Sequence, residues 1–300
     1  PIRFIFAYDE DMCKNAQMPL RSETREDDGL PYNEVGAWTR DKYRMIHLYQ
    51  TLFSTGMKNQ WEKRVYIDLY AGAGYSRIRG TPTILAGSPV LALNVPDPFD
   101  KYIFIEEDAP KLAALQMRGA REDSTADVTY IEGDCNTKVD DILAAIPPHS
   151  SGKRVLSLCF VDPYDLGIKF ETLRQLSSRY VDFLCLLAVY MDANRNAQVY
   201  VSPDSRKIAE LLGRNDWRER WQDASYKGKL FPRFLADEFT NSMTSLGFIP
   251  PPIYSMKEVR NLERNSPLYY LALFSRNPRA YYFWEQVQKY STDQTSFSWD

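Results

Sequence analysis

Residues Val65 to Tyr75 read V-Y-I-D-L-Y-A-G-A-G-Y, and the fold follows from how this stretch is understood. Val65, Tyr66, Ile67 and Tyr70 are β-branched or aromatic, the types that favour a buried strand. The strand carries Asp68 and runs into Ala71-Gly72-Ala73-Gly74, where missing side chains let backbone turn sharply or lie against a ligand. A strand ending in an acid and a G-x-G turn is how an open α/β sheet receives a nucleoside at the carboxyl ends of its strands. One such turn is weak evidence, and its weight comes from later stretches that fall in order.

Tyr102 to Ile105 reads as a second strand and ends at Glu106. Val128 to Ile131 is a third and ends in Glu132-Gly133-Asp134-Cys135-Asn136. Val155 to Val161 is a fourth, ending in Asp162-Pro163-Tyr164-Asp165-Leu166-Gly167, and Val181 to Tyr190 is a fifth. Helical patterns over Lys111–Arg118, Val139–Ile146 and Phe170–Ser177 separate them. Strands alternating with helices predict a parallel, doubly wound sheet.

Upstream, Ile2 to Tyr8 reads as an added strand and Arg21 to Gly29 as a mobile loop. Pro1 suggests that the numbering does not begin at a native start. Ala37 to Met57 is a helix whose Trp38, Tyr43, Ile46, Tyr49, Leu52 and Phe53 either pack on the sheet or form a lid over a pocket. Ser76 to Ala86 reads as a loop bearing Arg77 and Arg79. Gly87-Ser88-Pro89 opens a short helix, either as a plain cap or with free N–H groups facing a ligand.

Asp192 to Arg233 breaks the rhythm. Its basic residues are Arg195, Arg206, Lys207, Arg214, Arg218, Arg220, Lys227, Lys229 and Arg233, interleaved with Tyr200, Trp217, Trp221, Tyr226 and Phe231. It reads as a mostly helical insertion that could hold phosphates and stack bases, with a solvated helical face as the plain alternative. A helix over Phe231–Leu246, strands over Ile253–Leu262 and Leu268–Ser275, and a helix over Arg279–Tyr290 complete the chain. The expected organisation is a leading segment over residues 1–35, a nucleotide-binding core over 36–191, the insertion over 192–233 and a completing segment over 234–300.

The net charge of -3 hides an asymmetry: residues 151–300 carry 20 Lys+Arg against 17 Asp+Glu, and residues 1–150 carry 17 against 23. A local basic face is compatible with that balance. Cys13, Cys135, Cys159 and Cys185 are scattered without C-x-x-C spacing, so zinc and dithiol chemistry are unsupported and a reducing cytoplasmic setting is expected. His47 and His149 have no metal-ligand spacing, and no metal site is expected. No signal peptide is visible. The longest apolar run, Phe183 to Met191, is far short of the roughly 20 residues of a membrane helix.

Side by side, the strand ends describe a cofactor site. Glu106 can take both ribose hydroxyls, because an ionised carboxylate only accepts. Asp134, after Gly133, is placed to accept from an adenine amino group. Tyr70, Ala71, Gly72 and Gly74 leave room for the amino-acid part of S-adenosylmethionine, with Asp68 near its ammonium and Ser88 at the next helix start. A dinucleotide would prefer G-x-G-x-x-G, and Arg77 stands where the third glycine belongs. Asp162-Pro163-Tyr164 is the candidate chemistry: the Asp162 carboxylate and Pro163 carbonyl can orient an exocyclic amine while Tyr164 stacks on the base. Alternatively, Asp162 caps a helix and Tyr164 closes the pocket. Arg195, Arg206, Lys207, Arg214 and Trp217 are the candidate substrate contacts.

G-A-W-T-R-D-K-Y, Y-I-D-L-Y-A-G-A-G, G-S-P-V-L-A-L, F-I-E-E-D, G-D-C-N, F-V-D-P-Y-D-L-G and L-Y-Y-L-A-L-F-S together resemble the three-Cys-motif partner proteins, from Gly36 to Trp284. The resemblance implies a Rossmann-like class I methyltransferase fold, with a mostly parallel doubly wound sheet, a C-terminal antiparallel strand and a helical insertion. It also implies a partner, a three-cysteine protein resembling radical S-adenosylmethionine enzymes. Asp165 departs from the family's D-P-Y-G, which puts a side chain where the target pocket would narrow. The reading is an S-adenosylmethionine-dependent methyltransferase acting on nucleic acid, or a non-catalytic module on that fold that binds nucleic acid or the partner.

Overall fold

The computed structural model describes residues 24–190, 200–250, 256–261 and 266–293. In chain order the elements are β1 (Thr24–Arg25), β2 (Asn33–Val35), α1 (Thr39–Met57), β3 (Lys63–Asp68), β4 (Tyr75–Ile78), β5 (Ile84–Ala86), α2 (Ser88–Leu93), β6 (Lys101–Glu106), α3 (Ala109–Glu122) and β7 (Val128–Glu132). Then come α4 (Val139–Ala145), β8 (Val155–Val161), α5 (Phe170–Leu176), β9 (Val181–Leu187), α6 (Lys207–Leu212), α7 (Trp217–Tyr226), α8 (Phe231–Ser245), β10 (Lys257–Asn261), β11 (Ser266–Phe274) and α9 (Pro278–Asp293).

Seven strands form the main sheet in the order β10-β11-β9-β8-β3-β6-β7. β3, β6, β7, β8 and β9 run parallel, and β11 enters antiparallel against β9. All seven residues of β8 and of β9 are buried, as strands covered on both faces must be. Helices α9, α1, α2 and α3 pack on one another in succession, and α4, α5, α6 and α8 do the same. From β3 the chain moves outward through β6 to β7, then returns to β8 and moves the other way through β9. The reversal lies between β3 and β8, and ligands bind such sheets outside the carboxyl ends of the strands at that point. The architecture is the expected α/β, Rossmann-like class I methyltransferase fold.

A second, four-stranded sheet runs β1-β5-β4-β2. It corrects two expectations. Ser76–Ala86 is no loop: β4 and β5 pair as a hairpin, with Tyr75 opposite Ala86 and Arg77 opposite Ile84. The described part of Arg21–Gly29 is tied down, because β1 pairs with β5. The local pattern around Gly80-Thr81-Pro82 hid the hairpin, since its strands are too short for a clear alternation of period two. The insertion is helical from Lys207 onward, and its Trp217 and Trp221 pack on Phe231 and Phe234. The expected strand Ile2–Tyr8, Cys13 and Arg195 lie outside the described residues. The described cysteines Cys135, Cys159 and Cys185 are free and buried. No described helix is long and apolar enough to cross a membrane, and the described residues hold no cluster of metal-ligating side chains.

Candidate active site

β3 brings Asp68 to the reversal point, between Phe104 of β6 and Phe160 of β8. There the carboxylate is 0% exposed. Its Oδ2 accepts from Ser88 Oγ at 2.6 Å and Tyr66 Oη at 3.2 Å, and Oδ1 accepts from Tyr70 N at 3.3 Å. Burial pushes its pKa up to about 7, opposed by the Ser88 hydrogen bond and reinforced by the nearby Asp162 charge. Asp68 is absent from the wall of the cleft above it. Here it is a buried support under the turn, fastening α2 to β3 through Ser88.

Gly72 and Gly74 follow with φ of 63° and 80°, a left-handed backbone that side chains rarely adopt. A Cβ on Gly72 would collide with the Asn33 amide, and one on Gly74 would come within 2.9 Å of Leu115 Cδ1. Both glycines are thus demanded twice, by conformation and by space. Glu106 Oε2 accepts from Gly72 N at 2.8 Å, and Oε1 accepts from Asp108 N at 3.0 Å. Each carboxylate oxygen keeps lone-pair capacity for a diol.

The stretch from Asp28 to Gly36, with β2 inside it, roofs this turn. Arg118, itself buried, makes most of the roof's ties: it donates to Asp28 Oδ1 (2.6 Å) and Oδ2 (3.0 Å) and to the carbonyls of Pro31 (2.6 Å), Ala73 (2.6 Å) and Leu30 (3.3 Å), and Arg121 donates to Asp28 Oδ2 as well (3.0 Å). All five guanidinium N–H groups of Arg118 are used. Arg77 adds an ion pair to Asp27.

The cleft between roof and sheet has a volume of ≈ 460 Å³. That falls in the usual range for small-molecule sites. Its wall contains Tyr70, Ala71, Gly72, Gly74, Ser88 and Glu106, all expected from sequence, together with Asp162, Pro163 and Tyr164. Gly133 and Asp134 stand outside the wall. Asp134 Oδ1 instead accepts from Asn136 N and Nδ2, both at 2.9 Å, shaping the chain before α4. Asn136 then staples the following loop by donating to the Gly167 carbonyl at 3.0 Å and accepting from Lys169 N at 2.9 Å.

At the other end of the cleft, Asp162 Oδ2 receives Lys42 Nζ at 2.6 Å. Lys42 comes from the first turns of α1 and is only 9% exposed. Burial alone would lower its pKa, but the Asp162 charge outweighs that and holds it well above the ordinary lysine value. The ammonium also lies 5.2 Å from the centre of the Tyr43 ring. Tyr43 Oη pairs with Ser76 Oγ at 2.9 Å. Reasoning from sequence passed over Lys42 as part of an amphipathic helix, although G-A-W-T-R-D-K-Y contains it. Tyr164, two residues beyond Asp162, is 93% exposed at the mouth. It does not close the pocket; it offers a bare ring face.

The insertion differs from its expected role. Trp217 is 0% exposed and belongs to the core. Arg214 pairs with Asp216 at 2.7 Å and Glu238 at 3.0 Å, and Arg220 pairs with Glu238 at 2.7 Å. Lys207 Nζ holds Asp165 Oδ2 at 2.9 Å, so the departing aspartate anchors the loop after β8 to α6. Arg206 is exposed at the start of α6. Much of the basic charge read as a phosphate-binding face is neutralised within the fold.

No family model matches the chain, and no curated protein matches it. Solved structures show overall likeness at low identity. A Legionella pneumophila protein is 12% identical with a TM-score of 0.49, covering 84% of this chain and 91% of that one. Geranyl diphosphate C-methyltransferase from Streptomyces coelicolor, solved with S-adenosyl-L-homocysteine, is 13% identical with a TM-score of 0.37, covering 90% and 98%. A SAM-dependent methyltransferase from Geobacter sulfurreducens, also with S-adenosyl-L-homocysteine, is 12% identical with a TM-score of 0.35, covering 83% and 77%. These values carry no argument about activity, and the fold rests on the strand order and directions described above.

Proposed function

We propose that the protein is an S-adenosylmethionine-dependent methyltransferase whose acceptor is a nucleic-acid base nitrogen. The carrying observation is the joining of two half-sites in one cleft: Gly72, Gly74 and Glu106 at the ends of β3 and β6, and Asp162-Pro163-Tyr164 at the end of β8. Glu106 would hold the ribose hydroxyls and the glycine turn would admit the amino-acid part. Held by Glu106 and the glycine turn, the cofactor would supply a methyl electrophile to the acceptor nitrogen, whose proton would pass to solvent. Asp162 accepts the hydrogen bond that orients the amine, and Lys42 fixes that carboxylate in place. The exposed Tyr164 ring supports a planar acceptor, since a base can stack on it.

The second reading is a non-catalytic module on this fold that binds nucleic acid or the three-Cys-motif partner that the resemblance implies. The Lys42 contact favours it, because one Asp162 oxygen is already engaged. Calorimetry with S-adenosylmethionine and S-adenosylhomocysteine, beside Glu106→Ala, separates cofactor site from empty cleft. Micromolar binding, about -8 kcal/mol, lost in the variant supports the proposal. Labelled methyl transfer into DNA and RNA pools then tests the chemistry. A folded protein that binds no cofactor overturns the reading, and binding without transfer to any pool favours the module.

A further inference from the structure

A second cavity of ≈ 230 Å³ lies at the opposite end of the sheet, where β8 and β9 begin and β11 ends. Phe53, Met57, Trp61, Tyr180 and Phe283 give it aromatic and apolar walls. The Tyr49 hydroxyl and Asp182 interrupt them, and the exposed Arg276, Asn277 and Arg279 complete the wall. Tyr49 is 0% exposed, and its buried hydroxyl has no hydrogen-bond partner among the described residues. Its ring is held edge-on to Trp284 at 5.7 Å, so it is not free to turn away. Asp182, at the start of β9, is buried beside it and accepts from Ser275. A buried hydroxyl without a partner costs about 1–3 kcal/mol, so a ligand group that met it would recover that cost.

We propose that this cavity binds a small neutral aromatic heterocycle of one or two rings, presenting a nitrogen donor to Asp182 and a nitrogen acceptor to Tyr49. The walls select a flat ring. A carboxylate can only accept, so it selects an N–H donor, while the unpaired hydroxyl is able to donate. Arg276 lies near Asp182 and caps the carbonyls of Ser177 and Leu246, both at 3.0 Å, and its charge disfavours a second cation in the cavity. The site shares no wall residue with the cleft described above. It therefore stands whether or not the protein transfers methyl groups.

The test is calorimetry on the whole chain at pH 8 with benzimidazole, with its apolar counterpart indene and the cation benzamidine as comparisons. Benzimidazole should saturate one site, bind more tightly than either comparison, and be weakened about fivefold by Tyr49→Phe and by Asp182→Asn. Tyr49→Phe removes only an unpartnered oxygen, so its unfolding temperature should not fall, which separates lost binding from lost fold. Glu106→Ala should leave benzimidazole binding unchanged. Absence of saturable binding overturns the proposal. So does binding that survives both variants, or that S-adenosylhomocysteine displaces.

Discussion

Asp162→Ala removes the partner of an ammonium held in a nearly closed site. The Lys42 and Asp162 side chains are 11% and 17% exposed, so solvent screens the pair little. Leaving one charge of such a pair alone costs about 3–5 kcal/mol. Unfolding entropy of about 2.1 cal/mol/K per residue, over 300 residues, turns this into a drop of roughly 5–8 °C in melting temperature. In the intact protein the raised Lys42 pKa means that the pair's contribution is full below the unfolded lysine value near 10.4 and is lost only above it. In the variant, burial acts unopposed and depresses that pKa. The unfolded chain then binds more protons, so the lost stability returns as pH rises toward about 10. Scanning calorimetry of Asp162→Ala, Lys42→Met and the double variant, at pH 7 and pH 9.5, closes a double-mutant cycle. The double variant should melt well above Asp162→Ala yet transfer no methyl group. A coupling energy under about 0.5 kcal/mol, or an Asp162→Ala deficit that does not shrink with pH, refutes the reasoning.

Tyr164→Ala should leave the melting temperature unchanged because the ring is 93% exposed, while acceptor affinity falls by about 1–3 kcal/mol in nucleic-acid titrations. Gly72→Ala should both destabilise the protein, by about 1–3 kcal/mol, and weaken cofactor binding, since φ there is 63° and the added methyl strikes Asn33. Asp68 and Asp182 have pKa values pushed up to about 7, so the folded state holds protons that the unfolded chain has released. Stability contributed by their protonated forms is therefore lost as pH rises from about 4 to 7, and Asp68→Asn should remove part of that fall when its melting profile is subtracted from the parent's. Trp217→Ala should cost about 3–5 kcal/mol in denaturant unfolding, with cofactor affinity retained in the folded fraction, because the ring is core.

The main sheet was legible because β3, β6, β7 and β8 are short apolar runs each closed by an acid, with a helix between one run and the next. The order of motifs was enough to place Gly72, Glu106 and Asp162 on a single edge. Asp68 looked like its neighbours in that pattern and proved different. An acid at a strand end can face the cleft or the helix packed behind it, and only Ser88 Oγ and Tyr66 Oη decide which. Lys42 was invisible for the opposite reason. Charged residues on an amphipathic helix are read as solvent-facing, and its partner lies 120 residues away. Trp217 and the arginines of the insertion misled because composition reports charge without reporting neighbours. Glu238, on α8, answers both Arg214 and Arg220. The small sheet was missed because strands of two to four residues carry too few alternations to register.

The roof of the cleft is tied down by guanidinium groups on a helix behind it, Arg118 foremost and Arg121 beside it on Asp28, in addition to the β2–β4 ladder. Floor and roof come from stretches about 40 residues apart, and Arg118 touches both, through the Ala73 carbonyl on one side and Asp28, Leu30 and Pro31 on the other. Lysine at this position would keep the charge but offer three donors where five are used. Whatever occupies the cleft is thus enclosed by a wall whose attachment is separate from its own contacts. Arg118 and Arg121 can therefore be changed, and the roof loosened, without replacing a residue of the cleft wall.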